Sequence, residues 1–439
     1  MMEPYEWQVP IVDAAVRSLR AHRVFICGAG TGVGKTVVAL AALRKLGGCA
    51  LVIAPKVART QWLRTAEEMG CADMLVDVIN PEKISKPNGC AFYTRDGLWR
   101  IPKDCLVVFD EIHRGASGEK SATTLAVAQL KAYPSARLLA LSATVADSPL
   151  KLRALGFWLG FHSFTIPSFH QWCIQHGCKW EEFGWGRNRK RAFVFTKSAR
   201  RGREEMARIR RDMGERFIAV GPDEVPGFPS ETVEVMRLDL AKGDHDALVD
   251  AYAAMPESYL SDSEDANVRL LREREKAEFC KAEAIAERAA AFEADGFSVF
   301  IALNFTAARK RVEEYLLNSK IGYVSIYGGQ KEAERQAGID AFQDNRVHVM
   351  VGMLAACSVA VSLHDVKHER RRVSLISPGY SAPEFVQALG RIRRVGGTVA
   401  TQYIVLAADT VEEKVGKTIE RKLGNLSALT DSDLLRQST

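Results

Sequence analysis

The chain has 439 residues, 47% of them hydrophobic and 26% charged, and carries a formal net charge of +6. That length exceeds one typical core and fits two α/β domains of roughly 200 residues each, and the composition is that of an ordinary globular protein. The chain has no long apolar run, and its start has no basic region followed by an apolar stretch. We therefore expect a soluble protein without a membrane span or secretion signal.

The nine cysteines are scattered along the chain, several of them inside apolar runs. This pattern indicates buried free thiols in a reducing compartment rather than a disulfide framework. The one tight group of metal-ligand types is His170, Cys173, His176 and Cys178. Its spacing matches no common zinc finger, so we interpret these side chains as structural and predict no metal site beyond magnesium.

Short apolar runs alternate with helical patterns along both halves of the chain. In the first half the runs lie at 24–27, 50–54, 106–109 and 138–141. In the second half they lie at 299–303, 323–326, 347–351, 373–376 and 402–406. Such runs between amphipathic helices indicate buried strands of a parallel sheet, because helices cover both faces of that sheet. We therefore predict an α/β fold with two doubly wound parallel-sheet lobes.

The strand pattern is lost between about 165 and 295, where long charged helical patterns suggest insertion rather than core. The expected domains are a first lobe at 1–165, a basic helical insertion or linker at 166–230, and a second lobe at 231–439 with a helical insertion at 243–295. Segment 187–216 holds twelve basic and four acidic residues, a balance of +8. That cluster favours a polyanion partner, and a solvated helical face is the alternative.

A glycine-rich loop follows the first apolar run, since residues 28–36 have the sequence GAGTGVGKT. Small residues let backbone N–H groups converge on phosphates at the positive end of a helix. Lys35 would reach the β- and γ-phosphates and Thr36 would bind Mg²⁺, although Ala29 stands where the strict P-loop pattern has glycine. The residues expected to bind ATP are Gly30, Thr31, Gly32, Val33, Gly34, Lys35 and Thr36.

Two adjacent carboxylates follow the run at 106–109. Asp110 and Glu111 would lie at the carboxyl end of a strand, where open α/β sheets bind their ligands. We expect Asp110 to hold Mg²⁺ with Thr36, and Glu111 to orient or deprotonate the attacking water. Gln8 is a candidate reader of the adenine edge, because an amide both donates and accepts hydrogen bonds.

Two further elements complete the candidate machinery. Ser142 and Thr144 close the run at 138–141 and would place two hydroxyls near Asp110. Arg391 and Arg394 lie three residues apart, which predicts one helical face that can point at a γ-phosphate. Arginines supplied to a phosphoryl-transfer transition state are worth on the order of 10³ to 10⁵ in rate.

These elements resemble the motifs of superfamily-two helicases. Residues 29–36 have their form Ala-x-x-Gly-x-Gly-Lys-Thr, 142–144 their Ser-Ala-Thr element, and 387–394 their Gln-x-x-Gly-Arg-x-x-Arg element. The resemblance implies two tandem RecA-like lobes, with helical insertions between them, that hydrolyse ATP at their interface. The residues that it makes candidates for coupling hydrolysis to lobe movement are His113, Ser142, Thr144 and Gln387.

Finer features resemble the Swi/Snf-type DNA translocases. The similar segments are 54–56 with 61–62 and 67–68, 225–229 with 232–240, 272–281, 298–304, and 410–414 with Lys422. The chain departs from that family at 29–30, where an acidic pair is usual, and at 355–360, where a glycine-rich motif is usual. The residues that this resemblance places on a nucleic-acid backbone are Lys56, Arg59, Asn304, Thr306, Gln330, Lys331 and Ser358.

The leading hypothesis is an ATP- and Mg²⁺-dependent translocase on duplex DNA, sequence-tolerant because nothing resembles a base-reading motif. A strand-separating DNA or RNA helicase is the alternative, since Trp180, Phe183 and Trp185 beside the basic segment could stack bases. An ATP-gated DNA clamp is a third hypothesis, which the intact Glu111 and Arg391 disfavour. We expect no membrane partner, and a cytoplasmic location in a bacterial cell or virus-infected bacterial host rather than a nucleus.

Overall fold

The computed structural model describes residues 2–85, 90–94, 96–116, 118, 121–183, 189–221, 224–253, 264–357, 361–378, 382–394, 396–408, 412 and 425. The chain forms two compact units. The first comprises Met1–Lys179, Phe193–Pro226 and Lys422–Leu434, and the second comprises Trp180–Ala192, Gly227–Arg421 and Leu435–Thr439. Among the described residues, no helix combines the length and apolar character that a bilayer crossing requires.

The first unit is built on a six-stranded parallel sheet with the strand order β3-β2-β4-β5-β1-β8. Its strands are β1 Val24–Cys27, β2 Ala50–Ile53, β3 Leu75–Ile79, β4 Leu106–Asp110, β5 Arg137–Leu141 and β8 Phe217–Ile218. Every residue of β1 and β2 is buried, because helices cover both faces of the sheet. The parallel register aligns Asp110 at the end of β4 with Leu141 at the end of β5.

Nine helices are described in the first unit: α1 Val9–Ala21, α2 Lys35–Leu46, α3 Arg59–Glu68, α4 Pro81–Ser85, α5 Ile112–Gly115, α6 Ala122–Leu130, α7 Arg153–Leu159, α8 Ile166–Gln175 and α9 Ala199–Met213. The helix α1 shows the usual amphipathic spacing, with Val12, Ala15 and Leu19 buried. A separate two-stranded sheet, β6 Cys178–Phe183 with β7 Lys190–Phe195, lies where the chain passes between the two units.

The second unit has its own six-stranded parallel sheet, in the order β11-β12-β10-β13-β14-β9. Its strands are β9 Glu231–Leu238, β10 Ser298–Leu303, β11 Tyr323–Ile326, β12 Val349–Met353, β13 Arg372–Ile376 and β14 Ala400–Ala407. Its helices are α10 Lys242–Ala253, α11 Glu264–Ala294, α12 Thr306–Asn318, α13 Glu332–Gln343, α14 Leu354–Cys357 and α15 Ala382–Leu389. The α/β prediction, with two tandem RecA-like parallel-sheet lobes, is confirmed.

The second half of α11 lies within the range 243–295, which was expected to be a helical insertion, and it packs into the core of the second unit. Ala282, Ile285, Ala286 and Ala289 on this helix are fully buried in the core of the second unit, against strands β10 and β13. Small alanine side chains let the helix lie close to the sheet, and the charged residues between them hide this face from a composition-based prediction. The helix α11 is therefore one of the layers of the second unit.

Candidate nucleotide and nucleic-acid sites

The glycine loop connects β1 to the first residue of α2, as the sequence predicts. Gly32 and Gly34 have left-handed backbones, with φ of +80° and +77°, which only glycine adopts without strain. The Lys35 ammonium lies within the loop and donates to the Ala29 and Gly30 carbonyls at 3.1 and 3.2 Å. A positive side chain and the N-terminus of a twelve-residue helix together favour bound phosphate.

Gln8 braces this loop from the position immediately before α1. Its amide nitrogen donates to the Val33 carbonyl at 2.9 Å, its amide oxygen accepts from the Tyr5 N–H at 3.0 Å, and the residue is 1% exposed. Both ends of the amide are therefore bonded within the protein, and the burial of the side chain leaves little surface for a contact with adenine. A Cβ at Gly34 would lie 2.6 Å from the Gln8 amide nitrogen.

The carboxylate pair lies where β4 ends. Asp110 Oδ2 accepts a hydrogen bond of 2.9 Å from the indole N–H of Trp62, which lies on α3 and is 1% exposed. Burial and the adjacent Glu111 raise the pKa of Asp110 to about 6, while the Trp62 hydrogen bond and the Lys35 charge act in the opposite direction. Glu111 has a left-handed backbone with φ of +53°, which turns the chain sharply into α5.

These donors fit a hard divalent cation. A carboxylate whose ionised form is penalised by burial and by a second carboxylate gains most from a neighbouring positive ion, and hydroxyl and carboxylate oxygens are the ligands that Mg²⁺ prefers. Asp110 and the Thr36 hydroxyl are the residues of this unit that would hold it.

A histidine joins the carboxylates to the end of β5. His113 Nδ1 lies 2.8 Å from Ser142 Oγ, 3.4 Å from Thr144 Oγ1 and 3.3 Å from Glu111 Oε2. The backbone N–H of Thr144 in turn donates to Ser142 Oγ at 3.0 Å. The structure therefore brings Glu111 and His113 together with Ser142 and Thr144, which lie 29 or more positions later in the sequence, as the parallel register of β4 and β5 requires.

In the second unit, the predicted arginines do not share a helical face. The helix α15 ends at Leu389, before Arg391 and Arg394, so their spacing does not translate into a helical repeat. They converge instead on one carbonyl: Arg391 Nη1 and Arg394 Nη2 donate to the oxygen of Val361 at 3.1 and 2.9 Å. Burial lowers the pKa of Arg394 to about 10. Gln387, on α15, is fully buried.

Asn304, a predicted backbone contact, has its donors engaged inside the second unit. Its backbone and side-chain N–H groups both donate to the buried Glu278 carboxylate, at 2.9 and 2.7 Å. The side-chain amide also donates to the Ser377 carbonyl at 3.1 Å. Glu278 comes from α11, so Asn304 ties that helix to the ends of β10 and β13.

The other predicted contacts fall into three groups. Gln330 is turned inward, because its amide donates to the Ser325 carbonyl at 3.0 Å. Arg59 is half exposed and held by the Asp77 carboxylate at 3.3 Å. The exposed ones are Lys56, Thr306 and Lys331, and Ser358 lies outside the described residues.

Sequence analysis missed a role for three residues around these sites. Trp62 touches Asp110, and its sequence signals were its place in the similar segment 61–62 and its position on the buried side of α3, neither of which shows this contact. Lys281 and Glu412 form a buried ion pair of 2.7 Å in the second unit, with exposures of 1% and 5%. Buried charges of this kind have no signature in composition, because helix periodicity marks Lys281 as one more charged residue of α11.

The histidine and cysteine group at 170–178 is built into the first unit. Cys173 and Cys178 are buried in its hydrophobic core, and His176 Nδ1 lies 3.3 Å from the Glu205 carboxylate. Nearby, α9 buries Gly202, Met206, Ile209 and Met213 and exposes most of its arginines.

Two family matches cover most of the residues of these sites. The family described as "Type III restriction enzyme, res subunit" matches residues 1–147. The family described as "Helicase conserved C-terminal domain" matches residues 283–396. The first match spans the glycine loop through Thr144, and the second spans Asn304 through Arg394.

Individual relatives agree with these domains. The chain is 26% identical over 446 aligned residues to a protein of Acanthamoeba polyphaga mimivirus named "Putative ATP-dependent RNA helicase", covering 92% of this chain and 79% of that protein. Two solved structures of S. cerevisiae Dbp5 bound to RNA and ADP BeF3, one of them a point variant, share the fold with a TM-score of 0.51. Their identities are 13% and 12%, over 95% and 96% of this chain and 88% of each of theirs.

The matched domains lie on two parallel six-stranded sheets. The first carries a phosphate loop and a carboxylate pair, and His113 links Glu111 of that pair to Ser142. The chain is therefore a nucleic-acid-dependent ATPase of the helicase and translocase type, with two matched domains that are similar to those of superfamily-two helicases.

Proposed function

We propose that this protein is a strand-separating helicase that uses ATP and Mg²⁺, with RNA as its first candidate substrate. The choice of strand separation over duplex translocation is supported by the mimivirus relative, which is named an RNA helicase and aligns with 92% of this chain. The duplex-DNA translocase remains the second candidate, on the strength of the Swi/Snf-like segments of the sequence.

The observation that carries the proposal is the set of contacts that joins Glu111, just after β4, to the Ser142 and Thr144 turn through His113. Glu111 is placed to accept the proton of the water that attacks the γ-phosphorus, giving ADP and phosphate. His113 lies between Glu111 and Ser142, so a change at the γ-phosphate reaches the end of β5 through one side chain. That connection couples hydrolysis to movement.

The other candidate residues would bind the phosphates and Mg²⁺ or stabilise the negative charge of the transition state. Lys35 holds the phosphates, Asp110 and Thr36 hold Mg²⁺, and Arg391 with Arg394 stabilise the negative charge of the transferred phosphoryl group. When bound, Mg²⁺ neutralises charge on the β- and γ-phosphates. The arginines must give up the Val361 carbonyl to do this, so we propose that their present bonds belong to a resting arrangement.

An exposed aromatic side chain favours single-strand tracking. Trp180 on β6 is 41% exposed, and the Arg191 guanidinium on β7 lies 4.8 Å from its ring. A base can stack on an indole, and an adjacent arginine adds phosphate attraction, a combination typical of single-strand binding. Phe183's side chain and Trp185 fall outside the description of the structure.

The chain offers a matched control for this stacking role. Phe279 on α11 is 42% exposed and has the Arg311 guanidinium 4.8 Å from its ring. Arg311 is already bonded to the Asp244 and Glu283 carboxylates. We expect Trp180→Ala to weaken single-stranded RNA binding about 10-fold, and Phe279→Ala to leave that affinity unchanged, in fluorescence anisotropy titrations.

The test of the proposal is strand displacement from an RNA duplex with a single-stranded tail. With ATP, the wild-type protein should displace the labelled strand from the duplex, and Lys35→Ala should displace none. A parallel reaction would follow release of a third strand from a blunt DNA triplex. Triplex release without duplex unwinding would replace the helicase by the duplex translocase. ATP-dependent binding without release of any strand would favour the clamp.

A further inference from the structure

We propose that Trp62 is a positioning residue for the magnesium site, and that through it α3 transmits nucleic-acid binding to Asp110. The first half of this inference concerns the first unit alone. The second half rests on the proposed function, because it needs nucleic acid to contact the start of α3.

The geometry begins with a single buried hydrogen bond. The indole N–H of Trp62 donates to Asp110 Oδ2 at 2.9 Å, and Trp62 is 1% exposed. An indole can only donate, and here its one donor is committed to one oxygen of the carboxylate. This bond engages Oδ2 and restricts the rotation of the carboxyl group about its Cβ–Cγ bond, so it sets the orientation in which the carboxylate can meet a cation.

The acceptor of that bond is Asp110, whose carboxylate must be oriented towards Mg²⁺ to bind it. Asp110 is the last residue of β4, between the Lys35 ammonium of the loop and the adjacent Glu111. Groups that hydrogen-bond a metal-binding carboxylate orient it and typically contribute 10-fold to 100-fold to metal affinity. Trp62 is therefore placed to set how well Asp110 holds Mg²⁺ beside a bound nucleotide.

The helix that carries Trp62 begins with one predicted nucleic-acid contact and is preceded by another. Lys56 is exposed in the turn just before α3, and Arg59 is the first residue of the helix, one turn before Trp62. Arg59 is only 52% exposed, and it bridges to Asp77 on β3. A nucleic-acid phosphate that binds Lys56 and Arg59 would displace the first turn of α3. Trp62 lies three residues after Arg59, so the displacement would also move its indole.

Trp158 provides the matched control. It is buried in the same unit with 4% exposure, and its indole N–H donates to the Val127 carbonyl at 2.7 Å, away from the carboxylate pair. Trp62→Phe and Trp158→Phe thus remove the same atoms and one hydrogen bond each. Only Trp62→Phe removes a hydrogen bond to Asp110.

The experiment is a Mg²⁺ titration of fluorescent ADP binding to the full-length protein, without nucleic acid, for the wild type and both variants. Trp62→Phe should raise the Mg²⁺ concentration at half-saturation about 10-fold, and should leave ADP affinity without Mg²⁺ unchanged. Trp158→Phe should change neither quantity. Equal half-saturation for Trp62→Phe and wild type, or an equal shift in both variants, would overturn the proposal.

A second variant covers the case in which phenylalanine disturbs packing. Trp62→benzothienylalanine replaces the N–H by sulfur in a side chain of nearly the same shape, so it must reproduce the Mg²⁺ shift while keeping the wild-type melting temperature. Loss of Mg²⁺-free ADP binding with it would show a general packing role instead.

The coupling half is measured as the ratio of RNA-stimulated to basal ATP hydrolysis at saturating Mg²⁺. The ratio should fall several-fold in Trp62→Phe and stay at the wild-type value in Trp158→Phe. A wild-type protein that no nucleic acid stimulates would refute the proposed function and this half, whereas the Mg²⁺ titration would still decide the first half. An unchanged ratio in Trp62→Phe would refute the coupling alone.

Discussion

In both units the candidate residues follow the carboxyl ends of parallel strands, yet the hydrogen bonds of their side chains are made to different kinds of partner. In the first unit the predicted residues contact one another, as Glu111, His113 and Ser142 do. In the second unit Arg391 and Arg394 donate to a backbone carbonyl, and Asn304 donates to a carboxylate from α11.

This difference separates a preassembled site from one that must exchange partners. Buried charged groups need compensation in the protein itself, and here a backbone carbonyl supplies part of it for both guanidinium groups. In the first unit the contacts of Glu111 and His113 are already formed, whereas we propose that the second unit's arginines exchange Val361 for phosphate. Substitutions in the phosphate loop should therefore affect nucleotide binding, and those of the second unit's buried charged residues should affect turnover or stability.

The largest effect is expected from the second unit's arginines. Arg391→Ala should lower ATP hydrolysis on the order of 10³-fold, because the transferred phosphoryl group loses a stabilising charge. Binding of fluorescent ATP should stay near the wild-type affinity. Arg346→Ala, which removes a surface arginine that is 62% exposed, is the control and should hydrolyse ATP normally. A loss of binding that equals the loss of rate would place Arg391 in nucleotide affinity instead.

The next effect is on stability. Lys281→Met would leave the Glu412 carboxylate, which is 5% exposed, buried without its ion partner. Breaking a buried pair in this way costs about 3–5 kcal/mol, and denaturant unfolding of the second unit should report it. Replacing both residues, as Lys281→Met with Glu412→Leu, should recover most of that loss. If the single variant unfolds like the wild type, the pair contributes nothing to the second unit.

In the first unit, a substitution in the glycine loop should weaken the binding of ATP. Gly34→Ala combines a left-handed backbone with a Cβ 2.6 Å from the Gln8 amide nitrogen, so it disturbs the brace of the loop. We expect the KM for ATP to rise about 10-fold, from a cost of roughly 1–2 kcal/mol. Gly47→Ala has a similar φ of +74° and no atom within 4 Å of its Cβ, so it should lose stability without changing KM. An equal rise in the KM for ATP in Gly34→Ala and Gly47→Ala would show that the loop glycine has no specific role in ATP binding.

The smallest effect is a pH dependence confined to the first unit. Burial lowers the pKa of His162, so the folded state favours the neutral ring more than the unfolded chain does. The unfolded state then binds more protons near its ordinary pKa of about 6.5, and stability must fall as the pH drops below that value. Unfolding midpoints of His162→Gln should depend less on pH between about 7 and 5. A variant with wild-type pH dependence would show that His162 does not contribute.

Much of the fold follows from local patterns. The nine apolar runs all became strands within one or two residues, because strands of a parallel sheet are buried on both faces. The missed strands lack that signal: β3 has three partly exposed residues, including Asp77, before its two buried ones, and β8 has only two residues. The register of β4 with β5 was also implicit, since residues that end neighbouring parallel strands meet.

What the sequence hid is mostly the choice of hydrogen-bond partner. Spacing put Arg391 and Arg394 on a helix, but α15 ends earlier and the two side chains meet through a carbonyl of a distant loop. Asn304 and Gln330 were predicted to face a ligand, yet each is bonded within the second unit. Such partners are set by tertiary packing of residues far apart in sequence, which no periodicity encodes.

The most direct test of the central claim is steady-state ATP hydrolysis with no nucleic acid, single-stranded RNA, single-stranded DNA and blunt duplex DNA, with Lys35→Ala as the inactive control. The proposed helicase predicts strong stimulation by single-stranded RNA, weaker stimulation by blunt duplex, and no activity in Lys35→Ala. Stimulation by blunt duplex alone would contradict the strand-separating helicase, and equal rates in all four conditions would contradict any nucleic-acid motor.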